Sequence, residues 1–156
     1  MSAQNTTNSE NVSEYITATI GGHLFGLPIA RVQDVFKPER LTPVPLAPQE
    51  IVGLINLRGR VVTAIDMRCR LGLPPHKDGH AAMAIGIEFR AEAFGLLIDA
   101  VGEVLKLSDE SREPCPVNLD QRLARIAAGV HRLDGQLLVL LDVDRVLDVG
   151  SERIAA

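Results

Sequence analysis

The sequence predicts a mainly β protein made of two pseudo-repeated, five-stranded small barrels packed together, with short helices between some strands. One observation is a repeated block, F-G-L-x-I-x-x-V-x-[DE]-V, which begins at Phe25 and again at Phe94. A second block, G-[LV]-x-x-L-x-G, begins at Gly53 and recurs at Gly129. The third observation is that short β-branched and aliphatic runs alternate with turn dipeptides. Together they indicate a unit of about 60 residues present twice, with seven extra residues around 108–118 in the second copy.

The first strands of each copy are predicted as a hairpin. Residues 14–20 and 23–27 flank the turn dipeptide Gly21-Gly22, and residues 82–89 and 93–98 flank Arg90-Ala91-Glu92 in the same way. The spacing of Ile29, Val32 and Val35 then suits one helical turn that runs into a strand. Ile98, Val101 and Val104 have the same spacing, so the same turn is expected in the second copy.

A second hairpin closes each copy. Residues 53–57 and 60–65 flank Arg58-Gly59, and residues 129–133 and 136–141 flank Asp134-Gly135. Because glycine tolerates a left-handed backbone, Gly59 and Gly135 are predicted as turn residues. Each hairpin ends in an aspartate, Asp66 or Asp142, which is predicted to cap a short helix at 67–71 or 143–147.

Five such short strands avoid exposed edges best by closing into a barrel. The expected boundaries are a flexible tail at 1–12, a domain at 13–150 and a C-terminal tail at 151–156. Within the domain, the first barrel is expected mainly at 20–75 and the second mainly at 80–148, with termini that can swap between them.

Composition and charge exclude several classes of protein. A net charge of −4 and only five Phe and Tyr residues argue against nucleic acid as a partner. No apolar run is long enough for a membrane span and no secretory signal opens the chain, so we expect a cytoplasmic protein without direct membrane insertion. Cys69 and Cys115 lack CxxC spacing and are expected to be free thiols.

The sequence lacks the common catalytic and metal-binding motifs. The chain has no GxSxG, GxxxxGK[ST], HExxH or GxGxxG motif, so no cofactor is assigned. The histidines at 23, 76, 80 and 131 are placed on a strand start, a turn-rich linker and a turn, so no metal is assigned. One alternative function remains, a small-molecule-binding or hydrolytic β-barrel protein that uses Asp66 and Asp142. Helix capping explains both aspartates more simply, and the repeat predicts that they lie in separate barrels.

The two copies differ in charge at one hairpin tip. Arg58 in the first copy corresponds to Asp134 in the second, whereas Asp34 and Glu103 are both acidic. Arg58 therefore either pairs with Asp34 or points freely into solvent, and the sequence leaves both open. An apolar groove between the barrels, edged by Val32 and Val101, would suit a partner helix.

The residues from Gly53 to Val62, followed by I-D-M-R at 65–68 and L-G-L at 71–73, closely resemble the signature of the CheW-like domain family of bacterial chemotaxis. The resemblance extends from about residue 13 to 148 and implies two SH3-like barrels. It also implies a non-enzymatic adaptor that couples the cytoplasmic tips of methyl-accepting chemoreceptors to the regulatory domain of a CheA-type histidine kinase. Such an adaptor would be recruited to membrane-associated receptor arrays.

The resemblance also implies which residues bind partners. It assigns Arg58 and Asp34 to a pair near the binding surface, and Val32, Val101 and Val104 to the receptor groove. Asp34 is one methylene shorter than the usual glutamate, so the pair with Arg58 is expected to be longer. Gly102 is expected to loosen the second helical turn. The chain has no room for a phosphotransfer, ATP-binding or receiver domain, which favours a standalone adaptor.

Overall fold

A computed structural model describes residues 11–38, 41–47, 50–74 and 83–147. The strands are β1 (Val12–Ile20), β2 (His23–Pro28), β3 (Val32–Phe36), β4 (Leu41–Thr42), β5 (Ile51–Leu57), β6 (Arg60–Asp66), β7 (Met83–Phe89), β8 (Glu92–Ile98), β9 (Ala100–Ser108), β10 (Ala127–Leu133) and β11 (Gln136–Leu141). The helices are α1 (Met67–Arg70), α2 (Gln121–Ile126) and α3 (143–147), with single 3-10 turns at Ile29–Arg31 and Asp109–Ser111.

The predicted terminal tails lie outside the described residues except at 11 and 12. There Val12 already begins β1, where it pairs with Ser108, so the tail ends earlier than expected. The linker that contains His76 and His80 also lies outside the described residues.

The strands form two sheets, and each sheet combines both halves of the chain. Sheet A has the order β10-β11-β2-β1-β9, and sheet B has the order β3-β7-β8-β6-β5-β4. The hairpin β1–β2 of the first copy therefore lies beside strands of the second copy, and β7–β8 lies beside strands of the first. The mainly β, two-unit fold class is confirmed, whereas the sheets do not follow the expected division into 20–75 and 80–148.

The register of the sheets shows the internal repeat directly. In the parallel pair of sheet B, Phe94 lies opposite Thr63, and in the parallel pair of sheet A, Phe25 lies opposite Val139. Phe25 and Phe94 begin the two copies of the first sequence block, and Thr63 and Val139 are equivalent in the alignment of the second block. The same arrangement of strands is therefore formed twice. In each sheet the first hairpin, β1–β2 or β7–β8, comes from one copy and the second hairpin, β10–β11 or β5–β6, comes from the other.

The exchange of hairpins follows from two very short crossovers. The chain passes from sheet B to sheet A through Asp99 alone. If β9 instead lay beside β7, as β3 does, Val101 would sit opposite Ile87 while Ile98 stays opposite Met83. These places are about 13 Å apart along the strand and about 10 Å apart across it. Three residues span at most about 11 Å, so the chain must cross to the other sheet.

The largest core lies between the two sheets. It contains buried residues from sheet A, such as Phe25 and Leu27, and from sheet B, such as Ile65 and Leu96. Each sheet also encloses a smaller apolar cluster of its own, around Val62 in sheet B and around Leu138 in sheet A. The two sheets therefore pack as one body through aliphatic side chains.

The four predicted hairpins are all present, within one or two residues of the expected bounds. The predicted helical turn after β2 is present as the 3-10 turn Ile29–Arg31. Its counterpart after β8 is wrong, because Val101 and Val104 lie in the extended strand β9. The backbone N–H of Asp99 donates to the carbonyl of Thr19, so pairing with β1 replaces the helical turn. Gly102 accordingly does not loosen a helix; it lets β9 approach the side chain of Thr17.

A third repeated block becomes visible only in the structure. Thr42 pairs with Leu54 in sheet B, and Glu113 forms the equivalent bridge to Val130 in sheet A. A P-x-P-[LV] loop follows each of these positions, and both loops end in a fully exposed aliphatic side chain, Leu46 or Val117. The seven extra residues of the second copy are thus divided between two places, before and after this loop.

Candidate functional site

A groove of about 360 Å³ opens on sheet B beside the tip of the β5–β6 hairpin. Phe36, Leu57, Val62 and Phe94 contribute its apolar lining, and Asp34, Arg58 and Arg60 its charged groups. The groove thus combines apolar side chains with two arginines and one aspartate, a composition typical of a site for an apolar segment that also carries acidic groups.

The hairpin tip owes its shape to backbone conformation. Arg58 and Gly59 both have a positive φ, 53° and 82°. A two-residue hairpin turn needs such φ values for its backbone to match the twist of the two strands. The side-chain oxygen of Asn56 accepts a hydrogen bond from the Gly59 N–H at 3.1 Å and fixes the turn. Because Asn56 fixes the turn, the backbone conformation at Arg58 is well defined, and the Arg58 side chain extends from it into solvent. Gly59 lies at the position predicted for a turn residue, and Gly135 in the other copy has the same left-handed φ, 80°.

Arg58 forms the ion pair with Asp34 that the sequence left open. Nη1 of Arg58 lies 3.6 Å from Oδ2 of Asp34, and the side chains are 80% and 35% exposed. The distance is too long for a strong hydrogen bond, as the short aspartate side chain suggests. The other oxygen of Asp34 accepts from the N–H of Val35 at 2.8 Å, which orients the carboxylate. An exposed pair of this length adds little stability, so both groups are available to a partner.

The three valines assigned to partner binding do not line this groove. Val32 is half-buried on β3 and Val101 is half-buried on β9, and both pack against the core between the sheets. Val104 is 49% exposed on β9. Val104 lies on β9, an edge strand of sheet A, whereas Arg58 lies at the β5–β6 tip of sheet B.

The equivalent region of sheet A has a different shape and charge. Thr17 stands where Gly86 lines the groove, and its hydroxyl donates to the carbonyl of Glu103 at 2.8 Å. Leu24 replaces Ala93, so the side chains at these two positions are larger in sheet A than in sheet B. Asp134 replaces Arg58, so the charge at the hairpin tip is reversed. A partner that recognises the groove would therefore distinguish one barrel from the other.

Asp66 and Asp142 act as helix caps, as predicted. Asp66 is buried and accepts from the Arg68 N–H at 2.9 Å, and Asp142 accepts from the Arg145 N–H at 3.3 Å. They follow β6 and β11, which lie in different sheets. The hydrolytic alternative required the two carboxylates to converge, and the structure does not bring them together.

The cysteine beside Asp66 is not activated as a nucleophile. Burial, followed by the negative charge of Asp66, raises the pKa of the Cys69 thiol. A raised pKa keeps the thiol protonated near neutral pH, and it is the thiolate that attacks electrophiles. Both cysteines are free in the structure.

His131 is a buried polar residue whose environment the sequence did not reveal. It lies inside strand β10, only 2% exposed, and its ring packs against Tyr15 with centroids 6.1 Å apart. Its Nε2 atom has no hydrogen-bond partner. Burial and then the charge of Arg112 lower the pKa of His131. The repeat could have indicated this, because the equivalent position in sheet B is the buried Ile55.

We expect the stability of the protein to fall as the pH is lowered, because of His131. Its folded pKa lies below its unfolded pKa of about 6.5, so the unfolded state takes up the proton more readily. The His131 contribution is therefore complete above the unfolded pKa and declines as the pH falls through it toward the folded pKa. Urea unfolding at pH 7.5, 6.5 and 5.5 measures this. His131→Ile should remove this part of the pH dependence, while His23→Ile, at an exposed position, should retain it.

A second feature that sequence reasoning missed is a pair of ion pairs at the crossovers. The guanidinium of Arg68 donates to both carboxylate oxygens of Asp99, at 2.9 and 2.7 Å, and Asp99 also accepts from the Gly21 N–H at 2.8 Å. The hydrogen bonds to Asp99 raise the pKa of Arg68. At the other crossover, Arg31 lies 2.9 Å from Asp144. In each pair, one residue lies in the helix that follows a strand, α1 after β6 or α3 after β11. The other residue lies in the crossover that leaves the parallel strand beside it, β8 or β2.

Most of the chain matches a known protein family. The family model described as the CheW-like domain matches residues 14–150. The chain belongs to the CheW-like domain family. A chemotaxis protein CheW of Rhizobium meliloti is 32% identical over 143 residues, which cover 92% of each chain. The Helicobacter pylori chemotaxis protein CheW is 26% identical over 90% of this chain and 84% of its own.

A solved structure supports the CheW-like fold. The crystal structure of the scaffolding protein TtCheW from Thermoanaerobacter tengcongensis matches with a TM-score of 0.73 and 28% identity, over 83% of this chain and 88% of that one. The CheW-like unit also occurs inside a longer protein, since the chemotaxis protein CheV3 of Helicobacter pylori matches over 80% of this chain but only 41% of its own length.

Two further observations on the described residues concern a metal site and a membrane-spanning helix. Within the described ranges, no three or more His, Cys, Asp and Glu side chains are grouped as a metal site. In the same ranges, no helix has the length and apolar character needed to cross a membrane.

Proposed function

We propose that this CheW-like protein is a non-enzymatic chemotaxis adaptor that couples chemoreceptor tips to the regulatory domain of a CheA-type histidine kinase. It would work in the cytoplasm, recruited to receptor arrays at the membrane. The observation that carries the proposal is the groove on sheet B, in which a solvent-exposed arginine and aspartate border an apolar lining. An adaptor needs exposed, preformed surfaces of this kind.

Two different surfaces support two partners. The groove with Arg58 and Asp34 lies on sheet B, and Val104 is exposed on the edge strand of sheet A. Val32 and Val101, which pack against the core between the sheets, would support rather than form the second surface. We assign the kinase to the groove and the receptor tip to the β9 side, because the groove combines two arginines with an apolar lining and so suits an acidic, partly apolar surface on a folded domain.

The proposal is tested by titration calorimetry with two purified partners. One is the C-terminal regulatory region of the CheA kinase from the same cell, and the other is a soluble fragment of a chemoreceptor tip. Saturable binding of both is expected, with the two partners present together in one complex. A folded protein that binds neither would overturn the adaptor assignment.

Arg58→Glu is expected to weaken kinase binding about tenfold or more, because it places a second carboxylate beside Asp34 and repels an acidic partner. The free energy of unfolding should change by less than about 0.5 kcal/mol, since exposed ion pairs contribute little. Calorimetric titration and urea unfolding measure the two effects.

The matched control is Arg132→Glu. Arg132 is also exposed and paired with a carboxylate, Glu113, but lies on β10 in the other sheet. Kinase binding by this variant should be unchanged. Equal weakening by both variants would show only a general effect of charge and would contradict the groove assignment.

A further inference from the structure

The two crossover ion pairs occupy equivalent places in the repeat but have opposite polarity. Arg68 in helix α1 and Asp144 in helix α3 are equivalent in the alignment of the second sequence block. In the alignment of the first block, Asp99 is equivalent to Ala30, the position next to Arg31. In sheet B the helix carries the cation and the crossover the anion, whereas in sheet A the helix carries the anion and the crossover the cation.

This polarity distinguishes the observed pairing of hairpins from pairing within one copy. If β2 lay beside β6 in the place of β8, the repeat would put Arg31 next to Arg68. If β8 lay beside β11 in the place of β2, Asp99 would lie next to Asp144. Both attractions in the observed structure would then become repulsions between like charges.

Pairing of β2 with β6 is a realistic competitor while the chain folds. The short crossovers prevent one copy from forming a complete sheet, because the strand after each crossover could not reach its place. The parallel contact between β2 and β6 can nevertheless form before β3 has paired with any strand. In the native structure Phe25 meets Val139, which is about three times farther along the chain than Thr63 on β6. By loop-closure entropy β2 meets β6 about five times more readily than it meets β11. The apolar sequences of β6 and β11 are too similar to oppose that advantage strongly. The native partner of β6, strand β8, is separated from β6 by a similar number of residues, so β2 and β8 reach β6 about equally readily.

We propose that the opposite polarity of the Arg68–Asp99 and Arg31–Asp144 pairs speeds the formation of the exchanged arrangement that the crossovers require, by repelling each hairpin from its own copy during folding. The residues act as specificity determinants of strand pairing. The native pairs add stability, and the same four charges disfavour both incorrect pairings, that of β2 with β6 and that of β8 with β11.

The test uses Arg31→Asp together with Asp144→Arg. Both side chains are substantially exposed, 36% and 62%, so the variant should fold. The reversed charges still attract each other in the native structure, but position 31 now also attracts Arg68 in the incorrect pairing. We expect an unchanged free energy of unfolding and refolding that is about three- to tenfold slower, from the change of an exposed repulsion into an attraction.

The matched control is Arg31→Gln together with Asp144→Gln, which removes the native pair without creating an attraction to Arg68. Refolding from urea is followed by Tyr15 fluorescence, since Tyr15 is the single tyrosine, the chain has no tryptophan, and Tyr15 is buried in sheet A. Interrupted unfolding separates slow phases that come from proline isomerisation. In 1 M NaCl, where charges more than about 3 Å apart are screened, the slow refolding should disappear.

Slow refolding of the charge-reversed variant alone, abolished by salt, would support the proposal. Equal refolding rates for the reversed and neutral variants would overturn it. Slow refolding that persists in 1 M NaCl would also overturn it, because the cause would not be electrostatic. A marked loss of equilibrium stability in the reversed variant would overturn it as well, since the native site would then not accept either polarity.

Discussion

Replacing Arg68 by leucine should lower the free energy of unfolding by about 3 kcal/mol, the largest effect we expect from any single charged residue here. The Arg68 and Asp99 side chains are only 25% and 22% exposed, and their guanidinium–carboxylate contact has two hydrogen bonds. Removing the arginine leaves the half-buried carboxylate of Asp99 without the positive charge and the two hydrogen bonds that offset the cost of its burial. Urea unfolding monitored by circular dichroism measures the change.

The control for this prediction is Arg132→Leu, at a pair that is 68% and 43% exposed. Its loss should be below about 0.5 kcal/mol, because an exposed pair is screened by water and salt. Asp99→Asn alone and combined with Arg68→Leu completes a double-mutant cycle. A coupling energy close to zero would mean that Arg68 contributes by packing rather than by its contact with Asp99.

Gly53→Ala should destabilise the protein by about 3 kcal/mol or more, because the added methyl group would overlap a backbone carbonyl of the neighbouring strand. A Cβ at Gly53 would lie 2.5 Å from the carbonyl oxygen of Thr42, and the backbone there has a φ of +158°. Gly129 is the equivalent position, with a φ of +157° and the carbonyl oxygen of Glu113 at 2.9 Å. Gly129→Ala should therefore have a similar effect, measured by thermal unfolding of both variants.

Gly59→Ala separates backbone conformation from steric conflict. Gly59 has a φ of +82°, but a Cβ there meets nothing within 4 Å. Its substitution should cost about 1 kcal/mol, from the left-handed backbone alone. If the Gly53 and Gly59 variants lost the same stability, close approach of the Thr42 carbonyl on β4 would not be the reason for glycine at position 53.

Local features of this fold were predictable from the sequence because they depend on neighbouring residues. The glycines at the hairpin tips, the aspartates that cap α1 and α3, and the alternation of short strands all act over a few positions. The helical turn after β8 failed for a related reason. The spacing of Ile98, Val101 and Val104 fits a helix, but backbone pairing of β9 with the distant strand β1 outweighs it.

The candidate site was predictable only in part. Arg58 and Asp34 stood out because the two copies differ in charge at the hairpin tip, and their ion pair is present. The groove itself depends on which side chains of β7 and β8 meet β3 and β6, four strands that come from both copies. His131 escaped notice because a polar residue at a core position is visible only once its equivalence to Ile55 is used.

The duplicated β unit, the positions of its turns and caps, and the charges that differ between the copies could all be read from the amino-acid sequence. Which hairpin completes which sheet became evident from the arrangement of the strands in space. A repeat is symmetric, so strand patterns alone allow β2 to pair with β6 or with β11 equally well. The observed choice follows from the span of a crossover as short as Asp99 alone, a geometric limit that appears only when the strands are placed in space.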